Sequence, residues 1–407
     1  VKEAPEKGER ETAFNRCGID SVEIPRMERL LLDASREELL RIFSAQELDD
    51  AGEGQGRAAR LAARFAAKEA CLKLFPRETA LENVTATDFS VVRGNYGAPR
   101  VRCSANAAIA LGRNRIARIE LSLTHDRSGA TAIALAVPDA IQPSLAGRIL
   151  YHLLPFRREI ILGNLRRVFG GRIAESEIVR LAQAHYGHLW RMIVEFLTYP
   201  LMPAAKREEI ARVENLEALR RALEQGKGAL VLTGHFGNFE IATAGGISRF
   251  PEARGRFYFL RRPFKPRWLE NYVAKRALRA GFGTLPKNGS LDWLMQRLEA
   301  GDLVVFPFDQ HAGRRDGIRV EFFGHAAGTF RSLALIAQAS GAPVVPASSW
   351  REPGGTHVLR FEEALPHITC DDFSEEIRRN TRAYNKALEL LVLRHPEQWW
   401  WAHRRWK

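Results

Sequence analysis

ALVLTGHFGNFEIA, residues 229–242, decides how the larger part of this chain folds. Ala229–Thr233 reads as a short apolar strand. Gly234 and Gly237 make a tight turn, and a helix begins near Asn238. A strand that turns straight into a helix belongs to an α/β layer. His235 then stands at the C-terminal end of the strand, where sites in such layers gather. Glu240 follows in the first turn of the helix. A His–x4–Glu spacing lets the carboxylate bond one imidazole nitrogen and leaves the other to take a proton from a hydroxyl. The same residues also read as a histidine in a turn and an acid at a helix N-terminus, where acids are favoured anyway.

The alternation continues on both sides. Phe257–Leu260, Leu303–Pro307 and Pro343–Ala347 read as further buried strands, with helices over 268–280, 290–300 and 329–340. Residues 156–226 read as mostly helical. Pro138 to Pro155 is the natural boundary, giving a linker over 140–155 and an α/β layered domain over 156–407. Residues 13–139 form a separate α+β domain. Its strands are predicted at 17–24, 84–92 and 99–103, with a hairpin of 117–124 and 130–137 around HDRSG. Helical stretches fall at 26–50 and 57–75. Residues 1–12 are polar and expected to be a disordered tail.

A length of 407 residues favours two or three domains, and 45% apolar with 27% charged residues is ordinary for a globular protein. Cys17, Cys71, Cys103 and Cys370 show neither metal-ligand spacing nor a disulfide framework, which fits a reducing cytosolic compartment. Residues 1–140 hold 21 Lys+Arg against 21 Asp+Glu. The whole +13 therefore sits in 141–407, with 40 against 27. A basic surface attracts nucleic acid, anionic lipid or an acidic protein. No nucleic-acid motif is present, and aromatics are not interleaved with basic residues as a stacking groove requires. Ser332–Trp350 lacks charges but contains Gln338, Gly341, Pro343 and Pro346, so it reads as helix, turn and strand. The expectation is a soluble or membrane-surface protein with no leader peptide.

On the helix at 57–75, with Leu61 set at zero, Leu72 falls at ~20° and Phe65 at ~40°. These residues form the buried stripe. Glu69 lies at ~80°, on its edge, with Lys73 one turn beyond. A carboxylate there wants a partner. Mg²⁺ binds through one or two carboxylates plus substrate phosphates, and Asp20 can supply the second. Taken singly, Glu69–Lys73 also reads as a surface i,i+4 pair, Asp20 as a cap or turn residue and His125 as a hairpin-tip residue.

GIDSVEIPRM, RIFSAQEL, RFAAKEACLK, GAPRV and LSLTHD occur in succession. Together they resemble the holo-acyl-carrier-protein synthase type of 4′-phosphopantetheinyl transferase over residues 14–137. The resemblance implies transfer of phosphopantetheine from coenzyme A to a carrier-protein serine, with Mg²⁺ held by Asp20 and Glu69. It implies Lys73 on phosphate charge, His125 on the coenzyme A phosphates, Lys68 as a further phosphate candidate and Arg26 against an acidic carrier protein. Either Glu69 or a metal-ordered water takes the serine proton. Such proteins are usually trimers with active sites between subunits, so a homo-oligomer is implied, though a fused domain bears on that state.

NLRRVFGG (164–171), GHFGNFE, RRPFKPRWLE (261–270), FDQHAG (308–313), FFGHAAGTF (322–330), APVVPAS (342–348) and PEQWWWAHRRWK (396–407) also occur in order. They resemble the late acyltransferases of lipid A biosynthesis, which carry an HX4D/E motif. The implied reaction moves an acyl group from acyl carrier protein to a lipid hydroxyl, with His235 as general base and Glu240 as its orienting carboxylate. Oxyanion donors would come from the backbone around 234–238 or from Arg261 and Arg262. Asp309 and Gln310 line up with acceptor binding. Arg331, Arg404 and Arg405 are either headgroup or carrier contacts, or solvated and paired cations. These enzymes usually begin with a membrane-inserting segment. Here 144–162 carries Arg148, Arg157, Arg158 and Glu159 and looks at most like an interfacial amphipathic element. Trp399, Trp400, Trp401 and Trp406 either anchor at headgroups or cover the core edge.

The leading reading is a bifunctional enzyme, cytoplasmic and peripheral on the inner-membrane face, acting on a lipid acceptor hydroxyl or amine. A second reading keeps only the acyltransferase and makes the first domain an inactive carrier-docking or oligomerisation module. The presence of Asp20, Glu69, Lys73 and His125 argues against it.

Overall fold

The computed structural model describes residues 16–75, 84–138, 141–248, 250, 254–261, 265–279, 281–286 and 291–407. The expected tail at 1–12 lies outside them. The chain divides into two compact units, residues up to 141 with 167–178, and 142–166 with 179–407.

The first unit is built round the helix Arg57–Leu72, whose alanine-rich sequence is a strong helix former. Its buried surface is wider than the expected stripe. Leu61 is buried, but so are Ala62, Ala63, Ala66, Ala67, Ala70 and Cys71. Small side chains let neighbouring elements approach nearly all round. The strands are β1 (Cys17–Glu23), β2 (Phe89–Arg93), β3 (Pro99–Cys103), β4 (Ile116–His125) and β5 (Gly129–Pro138). β1, β5 and β4 form an antiparallel sheet in that order, and β2 pairs with β3. Ala130, Ala132, Ala134 and Ala136 alternate along β5 to one buried face, which packs on the central helix. β1 packs there too. A Cβ on Gly18 would sit 1.9 Å from the Ala70 carbonyl oxygen, so only glycine allows that approach. The helical region at 26–50 resolves into Ile24–Asp33, Arg36–Leu39 and Ala45–Ala51, with capping boxes at Ser35–Glu38 and Ser44–Glu47 starting the second and third.

The second unit carries β6 (Ala211–Glu214), β7 (Ala229–Thr233), β8 (Phe257–Arg261), β9 (Phe282–Pro286), β10 (Leu303–Pro307), β11 (Gly317–Phe322), β12 (His325–Phe330), β13 (Val344–Arg351) and β14 (His357–Phe361). Seven of them form one sheet in the order β6-β14-β13-β7-β10-β8-β9, parallel except between β13 and β14. β11 and β12 form a separate hairpin. β7 sits mid-sheet, buried on both faces as its apolar sequence requires. Ser332–Trp350 is a helix (Ser332–Ser340), a glycine turn and then β13. Among the described residues no helix is long and apolar enough to cross a membrane. The stretch 140–155, expected to be a linker, contains the helix Leu145–Leu153, N-capped by Ser144.

Candidate functional site

In the second unit β7 ends at Thr233, and the chain turns through His235 into the helix Phe239–Ser248. Gly237 has φ +52°, and a Cβ there would lie 2.8 Å from the Ser349 oxygen, so glycine lets the turn fit against β13. Asn238 is tied down from behind. Its Nδ2 donates to Glu195 at 3.0 Å, and Glu195 is ion-paired with Arg351. The segment after residue 396 closes over the turn. Gly237 N donates to Gln398 O at 2.9 Å, and Trp400 N donates to His235 O at 3.0 Å.

Asp309 lies fully buried just beyond β10. Its Oδ1 accepts from His235 Nδ1 at 2.9 Å. Its Oδ2 accepts from the His235 amide at 2.7 Å and from Trp399 Nε1 at 3.0 Å. Burial alone would raise the Asp309 carboxyl, but the charge and hydrogen bonds of His235, with His403 nearby, hold it well below the usual carboxylate range. Burial pulls His235 down, and the Asp309 charge outweighs it, leaving the imidazole above its ordinary value. His403 Nε2 stands 3.4 Å from His235 Nδ1. Burial pushes His403 down to about 4, so it is neutral near pH 7.

This corrects the sequence reading, which placed Glu240 on His235 and Asp309 in acceptor binding. The carboxylate on Nδ1 is Asp309, while Glu240 lies half-buried in the first turn of its helix. The reason is register. Thr233 pairs with Pro307 across parallel neighbours β7 and β10, and His235 and Asp309 each come two residues later. Equal offsets from two strand ends were the available signal. The oxyanion expectation is also narrowed. The amides of His235, Phe236 and Gly237 are already bonded to Asp309, Gly234 and Gln398. Arg261 ends β8, Arg262 lies outside the described residues, and Gln310 is half-buried. Arg405 is fully buried on Gly328 O, Thr329 Oγ1 and Asn385 Oδ1, so it faces no headgroup; Arg331 and Arg404 are exposed. Trp399 and Trp401 are fully buried in the core rather than at a membrane surface.

His235 and Phe239 line two cavities. One, partly open to solvent, is walled by Val231, Phe257, Phe259, Val305 and Phe361. The other is lined by His188, Met192, Trp400 and His403. Among the described residues, His235, Asp309 and His403 form a three-donor cluster with ligand atoms within 4.8 Å of one another.

In the first unit Asp20, on β1, is paired in register with the buried Ala132 of β5 and shares its face. Lys73 Nζ reaches Asp20 Oδ1 at 2.8 Å and Ile19 O at 2.7 Å. Glu69 is half-buried, and burial with the nearby Asp20 charge raises its carboxyl pKa. Two hard oxygen donors near each other, one of them destabilised as an anion, suit a divalent cation such as Mg²⁺. His125 ends β4 with β5 between it and β1, so two strand spacings and a two-residue offset, together roughly 12 Å, separate it from Asp20 within one chain. Arg26 is exposed. Lys68 departs from expectation. It is fully buried, paired with Glu47 at 2.8 Å and bonded to Phe89 O at 2.7 Å, so it cannot reach a phosphate.

The two arrangements define a protein with two transferase units. Residues 136–407 match the family described as bacterial lipid A biosynthesis acyltransferase, and residues 16–134 match the 4′-phosphopantetheinyl transferase superfamily. A holo-[acyl-carrier-protein] synthase of Anaeromyxobacter dehalogenans is 40% identical over 129 residues, covering 31% of this chain and 96% of that protein. A phosphatidylinositol mannoside acyltransferase of Mycolicibacterium smegmatis is 25% identical over 249 residues, covering 60% and 77%. The lipid A biosynthesis palmitoleoyltransferase of Escherichia coli is 24% identical over 262 residues, covering 64% and 82%. The chain belongs to both families, as an enzyme with a holo-acyl-carrier-protein synthase domain followed by a lipid A-type acyltransferase domain.

Proposed function

We propose that the second unit moves an acyl group from acyl carrier protein to a lipid-like acceptor, and that the first unit converts an apo carrier protein to its holo form. The observation that carries the acyl-transfer reading is the His235–Asp309 pair beside an apolar cavity. Asp309 fixes the Nδ1–H tautomer, leaving Nε2 to take the acceptor's proton. The acceptor oxygen or nitrogen attacks the thioester carbonyl, the C–S bond breaks, and the leaving sulfur regains the proton from His235. The apolar cavity suits the acyl chain. Gln310, Arg261 and Arg262 remain candidates for acceptor or donor contacts, and Glu240 for shaping the helix N-terminus beside the base.

In the first unit Asp20 and Glu69 would hold Mg²⁺, which neutralises the coenzyme A pyrophosphate. Lys73, now on Asp20, would move to phosphate charge. His125 would serve a site shared between copies of the chain, since β5 stands between it and Asp20. The sheet face bearing Ile19, Ile133 and Leu135 is exposed at 53%, 37% and 49%, which supports burial in a homo-oligomer. Arg26 remains a contact for the acidic carrier. Leu145, Ile149, Leu153, Leu154 and Phe156 are exposed next to Arg148 and Arg157, which supports peripheral contact with the cytoplasmic membrane face.

Full-length protein with Mg²⁺, coenzyme A and apo carrier should yield carrier heavier by one phosphopantetheine. With acyl carrier and extracted lipid it should yield acylated lipid. Glu69→Ala should abolish only the first product and His235→Ala only the second. If both products survive in both variants, the assignment fails.

A further inference from the structure

We propose that His235, Asp309 and His403 form an inhibitory site for a zinc-class divalent ion, which switches acyl transfer off by occupying the imidazole nitrogen that Asp309 orients. This rests on His235 being the base. The donor geometry is close to what such an ion needs. Zn–N bonds of about 2.0–2.1 Å in a tetrahedron put ligand nitrogens about 3.3–3.4 Å apart. His235 Nδ1 and His403 Nε2 are 3.4 Å apart. Asp309 Oδ1, at 2.9 Å from the same Nδ1, needs to give by a few tenths of an ångström, and the ligand atoms of Asp309 and His403, within 4.8 Å of each other, flank the ion's place.

Proton placement points the same way. His235 Nδ1–H is given to Asp309, so His403 Nε2, which faces that nitrogen, presents its lone pair. Three donor atoms thus converge on one proton, and a cation can take its place. Two imidazoles and one carboxylate favour zinc or cobalt over magnesium or calcium. Outer bonds of the kind that stiffen metal sites are present. Asp309 Oδ2 is held by the His235 amide and by Trp399 Nε1, and His235 O accepts from Trp400 N. His235 and His403 also border the cavity shared with His188, Met192 and Trp400, which gives an entry route and room for water at a fourth position.

The chemistry balances without another reactant. As the ion binds Nδ1, the displaced proton moves to Nε2 and the imidazole stays neutral. Nε2 then carries a hydrogen and has no lone pair for the acceptor's proton. Removing the ion reverses the change.

The test uses the full-length protein in excess Mg²⁺, which occupies hard-oxygen sites. Added Co²⁺ should bind once per chain with tetrahedral d–d absorption, no thiolate charge-transfer band and paramagnetically shifted N–H signals from two histidines. Zn²⁺ should inhibit acyl transfer reversibly with EDTA. His403→Gln and Asp309→Asn should remove the Co²⁺ spectrum, and His403→Gln should raise the inhibitory Zn²⁺ concentration at least tenfold relative to its own uninhibited rate. An unchanged Co²⁺ spectrum in both variants overturns the site, as do wild-type Co²⁺ signals lacking two histidines. Zn²⁺ bound there with an unaltered acyl-transfer rate overturns the inhibition. Absence of acyl transfer with a positive Co²⁺ spectrum faults the functional reading and leaves the metal site standing.

Discussion

Asp309 grips His235 twice, accepting the Nδ1 proton on one oxygen at 2.9 Å and the backbone amide on the other at 2.7 Å. Side-chain tautomer and loop position therefore depend on one buried carboxylate. Replacing it with Asn keeps the shape but permits the wrong tautomer. Asp309→Asn is expected to lower kcat for acyl transfer by about 10³–10⁴, with circular dichroism unchanged. Glu240→Gln is expected to cost less than about tenfold. Equal losses would return the orienting role to Glu240.

Lys68, inside the helix Arg57–Leu72, and Lys73, its C-cap, separate structure from chemistry. Lys68 and Glu47 are both fully buried, so Lys68→Met leaves an unpaired carboxylate inside the first unit. Breaking a buried pair this way costs about 3–5 kcal/mol, readable as a lower urea midpoint. The Lys73–Asp20 pair is half-exposed and worth about 0–1 kcal/mol. Lys73→Met should leave the midpoint nearly unchanged and depress phosphopantetheine transfer. A Lys68→Met protein of wild-type stability would contradict the burial argument.

Gly18 offers a second stability test. A methyl group there meets the Ala70 carbonyl at 1.9 Å, and backbone cannot step aside as a side chain does. Gly18→Ala should destabilise the first unit by about 1–3 kcal/mol or more. Differential scanning calorimetry should show that unit's transition moving down while the other holds. A thermogram superimposable on wild type would show that the strand shifts freely.

Two buried histidines set a pH limit on the second unit. Burial pushes His185 down to about 4 and His188 well below its usual range, the latter aided by neighbouring positive groups. Unfolding frees both to protonate near 6.5, so the unfolded state binds more protons below that pH. Their contribution is complete above about 6.5 and is lost as pH falls toward 4, at up to about 1.4 kcal/mol per pH unit for each. Urea midpoints from pH 7.5 to 4.5 should fall below 6.5, more shallowly in His185→Phe. A flat profile would mean that the rings are charged or hydrated in the fold.

The legible features were those with a local signature. The strand–turn–helix at 229–242, the hairpin around HDRSG and the alanine-rich helix each declare themselves within a few residues. The His235–Asp309 contact spans 74 positions and follows from β7 lying beside β10, a pairing that periodicity does not encode. Lys68 and Glu69 are adjacent, and the partners that take Lys68 inward, Glu47 of the capping box at Ser44 and Phe89 O, lie about 20 positions away on either side. The short edge strand β6 and the hairpin of β11 and β12 lack the apolar runs that marked β7 and β10. Trp399 and Trp401 were readable as anchors or as core because their sequence neighbours are basic. Trp399 donates to Asp309, 90 positions away, and packs edge-on against Phe322, contacts that no local window of sequence contains.

The closure of residues 396–400 over the His235 turn also sets a timetable for the newborn chain. A ribosome adds residues at about 5–20 per second, so over ten seconds pass between finishing the first unit and supplying Trp399 to Asp309. During that interval the His235–Asp309 pair still lacks the indole donor that steadies it. The second unit is therefore finished only once residues 396–400 are made, well after the first.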